Sequence, residues 1–221
     1  MKEQRLIQAE LLEGAPPELA WHSLQDLVRI NRYFRGHRIM RGLLASVAPA
    51  TPFTVLDVGA ATGELARQIH SWFPQAAVTS LDRNPSHLAH APPPRLIADA
   101  SRLPLAPQSF DFVVCSLFLH HFPDAQIVEM LAAFHQIARR AVIVSDLERN
   151  RLAYYTLAAT RWIFGWSPIT LHDGPVSVQA AFRKRELSEL ARKAGLDNAQ
   201  IRRHMPWCRL SLLAARLREC E

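Results

Sequence analysis

The chain has 221 residues, of which 49% are hydrophobic and 21% charged, and its formal net charge is +6. This length and apolar content suit one α/β domain with a sizeable core and a small appendage, and they exclude a disordered protein. No run reaches about 18 uninterrupted apolar residues, which argues against a transmembrane helix.

Residues 1–50 are expected to form helices outside the core. Apolar side chains recur near a helical period in two stretches, 19–30 and 39–47. Between these stretches, Tyr33 and Phe34 lie among arginines. Their position fits the lining of a pocket and simple packing equally well.

The apolar run Phe53–Val58 is short, β-branched and bounded by Pro52 and Gly59, which is typical of a buried parallel strand. A turn of small residues follows, and residues 64–73 carry apolar side chains at helical spacing. Glycines let a backbone approach a ligand closely, and a helix N-terminus offers free N–H groups. The glycines lack G-x-G-x-x-G spacing, however, and an ordinary tight turn would look the same.

Asp82 favours a nucleotide site over a tight turn. It ends a second apolar strand, predicted over residues 76–81, and it lies 19 residues after Gly63. An acid at this point can accept hydrogen bonds from both hydroxyls of a ribose.

Strands and helices then alternate regularly. The sequence predicts further strands at 95–98, 112–117 and 141–145, a short helix beginning at Asn84, and a helix over 124–138. Such alternation requires right-handed crossovers and produces a doubly wound sheet.

Several motifs occur in this framework: Asp57-x-Gly59-x-x-x-Gly63, the strand-end Asp82, residues 97–100 followed by 103–105, and residues 109–121. Together they resemble class I S-adenosylmethionine-dependent methyltransferases of the small-molecule type. The resemblance is close over residues 53–146 and loose elsewhere. It departs at Ala61, where many members carry a third glycine, and we expect only a modest change in the loop.

The resemblance implies an α/β fold with a doubly wound, mostly parallel, seven-stranded Rossmann-like sheet. Residues 1–50 would form a helical extension over the active site, and residues 51–221 the methyltransferase domain. A helical cap would be inserted at about 149–183. The sheet would end in an antiparallel hairpin at about 198–204 and 207–215.

The resemblance also implies S-adenosyl-L-methionine as cofactor and S-adenosyl-L-homocysteine as product. Asp57, Gly59 and Gly63 would hold the methionine end, and Asp82 the ribose. Asp99 would accept from the adenine amine, although a solvated loop acid is the alternative. The full predicted cofactor set, at the carboxyl ends of the strands, is Asp57, Gly59, Ala60, Gly63, Asp82, Arg83, Asp99, Ala100 and Ser116.

A catalytic base is needed only if the acceptor starts protonated, as a phenol of pKa about 10 does at neutral pH. His121, or its neighbour His120, follows the fourth strand, close to where the methyl group should point. His172 is a second candidate, beside Asp173 in a stretch that Gly174-Pro175 indicates is a loop. Each histidine could instead fix its turn or loop through hydrogen bonds.

The acceptor is less well defined. No Asn/Asp-Pro-Pro-aromatic motif follows the fourth strand, which argues against N-methylation of adenine or glutamine. An aromatic segment at 149–166 favours a flat, apolar acceptor such as a phenol, quinol or polyketide. We therefore expect O-methylation in secondary metabolism. C-methylation, RNA methylation and a non-catalytic cofactor-binding protein are the alternatives.

Arginine clusters could attract nucleic acid, anionic lipid or an acidic substrate, but acids alternate with them, which favours a solvated surface. We expect a small-molecule substrate, no nucleic acid, no membrane span, and a monomer or homodimer. No metal is predicted, because zinc spacing is absent and the adjacent His120 and His121 should point in different directions. Three cysteines without C-x-x-C spacing, and an N-terminus without an apolar signal core, predict a cytoplasmic protein.

Overall fold

The computed structural model describes residues 4–216. Its strands are β1 (Phe53–Val58), β2 (Ala76–Asp82), β3 (Arg95–Ile97), β4 (Phe110–Ser116), β5 (Ala138–Leu147), β6 (Gln200–His204) and β7 (Arg209–Ala215). Its helices are α1 (Leu11–Gly14), α2 (Pro17–Tyr33), α3 (Gly36–Ala45), α4 (Glu64–Trp72), α5 (Pro85–Leu88), α6 (Asp124–Ile137), α7 (Arg151–Phe164), α8 (Pro168–Ala180) and α9 (Lys184–Lys193). A 3₁₀ turn spans Leu119–His121.

Within these residues the strands form one seven-stranded sheet in the order β3-β2-β1-β4-β5-β7-β6. The strands β1 to β5 pair in parallel, and β7 runs antiparallel to both β5 and β6. The chain order reverses between β1 and β4, which leaves a crevice at the carboxyl ends of these strands. The doubly wound sheet, its mostly parallel pairing and its final hairpin are confirmed.

Apolar side chains cover both faces of the sheet. One face packs against α6 and α9 through a cluster that includes Leu131, Phe134 and Leu190. The other face packs against α3 and α4, with Met40 and Ile69 in its cluster. Burial on both faces explains why the central strands are continuous apolar runs instead of alternating ones.

The N-terminal and inserted helices pack together. Both α1 and α2 contact α8, and α8 contacts α7. Over the described part of the chain, no helix has the length and apolarity needed to cross a bilayer. Cys115 and Cys208 are buried free thiols, and Cys220 lies outside the described residues.

The predicted loop around His172 is wrong, because this stretch lies inside α8. Ser167 caps the N-terminus of the helix, and Pro175 stands in its interior. Gly174 packs so closely on α7 that a Cβ there would overlap Leu157. The Gly-Pro signal failed because packing of α8 on its neighbours outweighs the local preference of these residues.

The aromatic segment also differs from expectation. None of the residues in α7 is buried, and the side chains of Tyr155 and Trp162 are 59% and 84% exposed. The residues that α7 contributes to the central cavity are Leu152, Ala153, Thr156 and Leu157. Apolar residues of this insertion thus line the cavity, but its aromatic side chains do not.

Candidate active site

A cavity of about 810 Å³ lies at the carboxyl ends of the parallel strands. One side is built by the segments that follow β1 to β5, and the other by α1, α2, α7, α8 and the β6–β7 turn. Phe34 lines it, whereas Tyr33 is 48% exposed to solvent. Ligand sites of small molecules reach about 300–1,000 Å³, so the cavity can hold a nucleoside cofactor beside a small acceptor.

The turn between β1 and α4 is built from left-handed residues. Gly59 and Gly63 have φ of 71° and 69°, and Ala61 has φ of 45°. A Cβ at Gly59 would also overlap the ring of Phe118. Glycine is therefore required at Gly59 for two reasons, whereas Ala61 adopts a conformation that strains a residue with a Cβ.

Asp82 ties this turn to the end of β2. Its Oδ2 accepts from the amide of Ala61 (2.8 Å) and its Oδ1 from the amide of Asn84 (2.9 Å). A carboxylate offers about four lone-pair sites, so each oxygen can accept one bond more. This geometry fits two ribose hydroxyls.

Asp57 is 2% exposed at the floor of the cavity. Among the described residues, its Oδ2 has no hydrogen-bond partner. Burial, with the nearby charge of Asp82, raises the pKa of Asp57 to about 8. A cationic amine would donate the missing hydrogen bond to Oδ2, and its positive charge would favour the ionised form of the carboxyl. Asp57 therefore fits the amino group of S-adenosylmethionine.

Asp99 is exposed on the loop after β3 and borders the cavity beside Ala100. Its Oδ1 accepts from the amide of Ser101 (2.8 Å), and this bond lowers the pKa of Asp99. Arg83 forms an ion pair with Glu13 of α1 (3.2 Å). Asp99 thus caps a turn, while the position of its carboxyl still permits the predicted contact with adenine.

Most of the predicted site residues border this one cavity. They are Asp57, Gly59, Ala60, Asp82, Arg83, Asp99, Ala100, Ser116 and His121. Gly63 instead caps α4, and its amide donates to the carbonyl of Ala60 (2.7 Å). His172 does not line the cavity either; its side chain is 51% exposed and its Nδ1 lies 2.8 Å from Oδ1 of Asp173.

A buried polar cluster stands opposite the cofactor turn. His120 Nδ1 bonds Asp146 Oδ1 (2.6 Å), and Asp146 also accepts from the amide of Leu147 (2.7 Å). Glu10 Oε1 lies 4.0 Å from His120 Nε2 and 3.7 Å from His121 Nδ1. The cluster therefore combines two carboxylates and two imidazoles, of which Glu10, His120 and His121 border the cavity.

The pKa values of the two histidines are shifted in opposite directions. Burial is the largest single influence and disfavours a charged His120, but the charge and hydrogen bond of Asp146, together with the charge of Glu10, outweigh it and raise the pKa of His120. Burial, with the charge of His120, lowers the pKa of His121 to about 3. Burial likewise raises the pKa of Glu10. His121 is thus neutral and a weak base at physiological pH, whereas His120 is the histidine with a basic nitrogen.

Glu10 reaches the cluster through a strap formed by residues 4–14. Asp173 accepts from the amides of Leu11 (2.9 Å) and Leu12 (3.0 Å), and Ser177 donates to Glu10. Arg5 donates to the carbonyls of His120 and Phe122 (both 3.0 Å). These contacts hold the strap across the cavity.

Sequence reasoning missed Glu10 and Asp146. Glu10 is a single acid in a polar segment, and no spacing relates it to the histidines. Asp146 lies near the end of β5, directly after its apolar run, and an acid at such a position was the one sequence signal that could have pointed to it.

Three side chains of the polar cluster could bind a metal ion: each of Glu10, His120 and His121 offers one nitrogen or oxygen donor, and these donor atoms lie within 4.8 Å of one another. The rings of the two histidines are 4.2 Å apart. The expectation that they point in different directions is wrong, because the 3₁₀ turn brings both to the same side. Nitrogen and carboxylate donors suit a divalent transition metal. The Glu10 carboxyl and the two imidazoles can also lie this close through their own electrostatic attraction, without a bound ion.

A family model described as a methyltransferase domain matches residues 55–141. The chain is a class I S-adenosylmethionine-dependent methyltransferase, and S-adenosylmethionine is its cofactor. The cradle formed by the β1–α4 turn, Asp57 and Asp82 lies entirely inside the matched segment.

Curated relatives include a demethylmenaquinone methyltransferase from Roseiflexus sp. (strain RS-1), 26% identical over 72% of this chain and 74% of that protein. A ubiquinone biosynthesis O-methyltransferase from Ralstonia nicotianae is 33% identical over 43% of this chain and 39% of that protein. The latter match thus spans well under half of that relative.

Solved structures show the same fold. The plantazolicin methyltransferase BpumL, in complex with a triazolic desmethylPZN analog and SAH, aligns with TM-score 0.70 at 12% identity, over 94% of this chain and 93% of that one. Magnesium protoporphyrin IX methyltransferase from Synechocystis PCC 6803, with bound SAH, aligns with TM-score 0.60 at 17% identity, over 88% and 87%.

Proposed function

We propose that this enzyme transfers the methyl group to a hydroxyl of a small, largely apolar acceptor such as a phenol, quinol or polyketide. The observation that carries the proposal is His120, which borders the acceptor side of the cavity while Asp146 holds its Nδ1 from behind. We also propose a cytoplasmic location and a role in secondary metabolism. The quinone-related names of two relatives support a hydroxylated ring as acceptor.

Bound S-adenosylmethionine supplies an electrophilic methyl group. The protein must then align the acceptor oxygen, exclude water and accept the hydroxyl proton. We assign proton acceptance to Nε2 of His120, because Asp146 holds Nδ1 and leaves the other nitrogen for the acceptor. Of the two histidines after β4, His120 replaces His121 as the proposed base.

The residues around the acceptor form the remaining part of the proposal. The predicted extension 1–50 and the insertion 149–183 together would enclose the acceptor through α1, α2, α7 and α8. Leu24, Leu27, Ile30 and Leu157 give this side its apolar lining. Such a surface excludes water and favours a ring over a polar nucleotide.

The test is a product assay with ¹³C-methyl-labelled cofactor. Purified enzyme is incubated with a panel of phenols and quinols and, in parallel, with total RNA. We expect a labelled methyl ether, which carbon NMR distinguishes from a methyl group on carbon. A C-methyl product, or label in RNA alone, would contradict the proposal.

A further inference from the structure

Arg209 is the first residue of β7, pairing with Leu147 on one side and His204 on the other. It borders the acceptor side of the cavity and is 0% exposed. Within residues 4–216, none of its three guanidinium nitrogens has a hydrogen-bond partner. The proposed base and the cofactor cradle leave this arginine unused.

An unpaired buried guanidinium is costly, because the charge loses water and gains no compensating bond. The neighbouring carboxylate does not satisfy it. Asp146 attracts the charge of Arg209, but its oxygens accept from His120 and from the amide of Leu147. An apolar side chain at position 209 would therefore be expected to destabilise the folded protein less than this arginine does.

A second unpartnered polar atom lies beside it. Oδ1 of Asn31, on α2, is buried without a partner among the described residues, and Asn31 also borders the cavity. A Cβ on Gly36 would overlap this oxygen and would lie 3.0 Å from Cζ of Arg209. Gly36 therefore makes room for both groups at the start of α3.

We propose that Arg209 and Asn31 form a subsite for a planar oxyanion of the acceptor, either a carboxylate or the enolate of an acidic enol. The guanidinium is a planar fork that donates two parallel hydrogen bonds to such a group. Asn31 Oδ1 accepts from a neighbouring hydroxyl of the same molecule. The inference rests on the proposed function in one respect: the cavity must receive the acceptor.

Binding to the complex with S-adenosylhomocysteine tests this subsite without any turnover. The probes are 4-hydroxybenzoate and 4-hydroxy-6-methyl-2-pyrone. Calorimetry compares the first with its neutral methyl ester and the second with its neutral 4-methoxy derivative. Wild-type protein should prefer each acid. Arg209→Met should weaken binding of the acids by about ten- to a hundredfold, the range for charge-assisted hydrogen bonds, and leave the neutral compounds within a factor of about two.

Thermal melting distinguishes this subsite from a structural arginine. Because methionine removes an unpaired buried charge, Arg209→Met should melt at or above the wild-type temperature. Arg192→Met, on the exposed side of α9, is the matched control and should leave binding unchanged. The proposal would be overturned if Arg209→Met melted at a lower temperature than wild type or failed to fold. It would also be overturned if Arg209→Met weakened binding of the acids and of the neutral compounds equally, or if the wild-type protein bound the acids no more tightly than the neutral compounds. Binding of the acids without methyl transfer would instead contradict the proposed function alone.

Discussion

The cofactor side and the acceptor side of the cavity are built by different means. On the cofactor side, the backbone of the β1–α4 turn is held by Asp82, and the elements that contribute are consecutive in the chain. On the acceptor side, Glu10, His120, Asp146 and Arg209 come from four distant segments. The cofactor side is therefore a local structure on the sheet, whereas the acceptor side exists only after the helices and the strap have packed.

The largest effect is expected on the acceptor side. His120→Gln should reduce turnover by about 10²–10⁴-fold, the usual contribution of a general base, while cofactor affinity is retained. Steady-state assays and calorimetry measure the two quantities. His121→Gln is the matched neighbour and should cost much less. An equal loss in both variants would contradict the assignment of His120.

A smaller loss is expected on the cofactor side. Asp82→Ala should weaken S-adenosylmethionine binding by about 1–3 kcal/mol, because it removes a half-buried carboxylate that accepts hydrogen bonds. Asp99→Ala is the control, with a smaller effect, since its carboxyl is exposed and already bonded to Ser101. Calorimetry on folded protein checks both. Unchanged affinity in Asp82→Ala would contradict the ribose assignment.

A change in pH dependence should report the His120–Asp146 pair. A histidine must be neutral to act as a base, and Asp146 raises the pKa of His120. The acidic limb of the rate profile should therefore lie above about pH 6.5, the ordinary pKa of histidine. In Asp146→Asn the raising charge is lost while burial remains, so the limb should move to lower pH. Rates across pH measure the shift, and an unmoved limb would exclude His120 as its source.

The smallest effect concerns Ala61. A left-handed residue with a Cβ costs about 1–2 kcal/mol, and glycine loses about 0.4–1 kcal/mol through greater freedom of the unfolded chain. The difference of these ranges means that Ala61→Gly should raise the free energy of unfolding by about 0–1.6 kcal/mol. Urea unfolding measures it. Ala60→Gly, where φ is not left-handed, should destabilise instead. A stability loss in Ala61→Gly would show that the turn is unstrained.

Secondary structure was predictable wherever the local pattern and the packing agreed. The strands β1, β2 and β4, and the helix α6, lie within a few residues of their expected bounds. The stretch around His172 was not predictable, because Gly174 and Pro175 favour a turn in isolation. Contacts with α7 and with the strap reverse that preference.

The succession of strands and helices along the chain, and the acids at the strand ends, were determined by the sequence alone, because hydrophobic period and spacing are local properties. The family resemblance, added to these local signals, is what assigned Asp57, Asp82 and Asp99 to one edge of the sheet. Only the tertiary structure decided which histidine has a carboxylate partner, that Glu10 joins it, and that Arg209 is buried beside Asn31. These relations depend on contacts across 26 to 178 residues of chain, as between His120 and Asp146 or between Asn31 and Arg209, and no periodic signal records them.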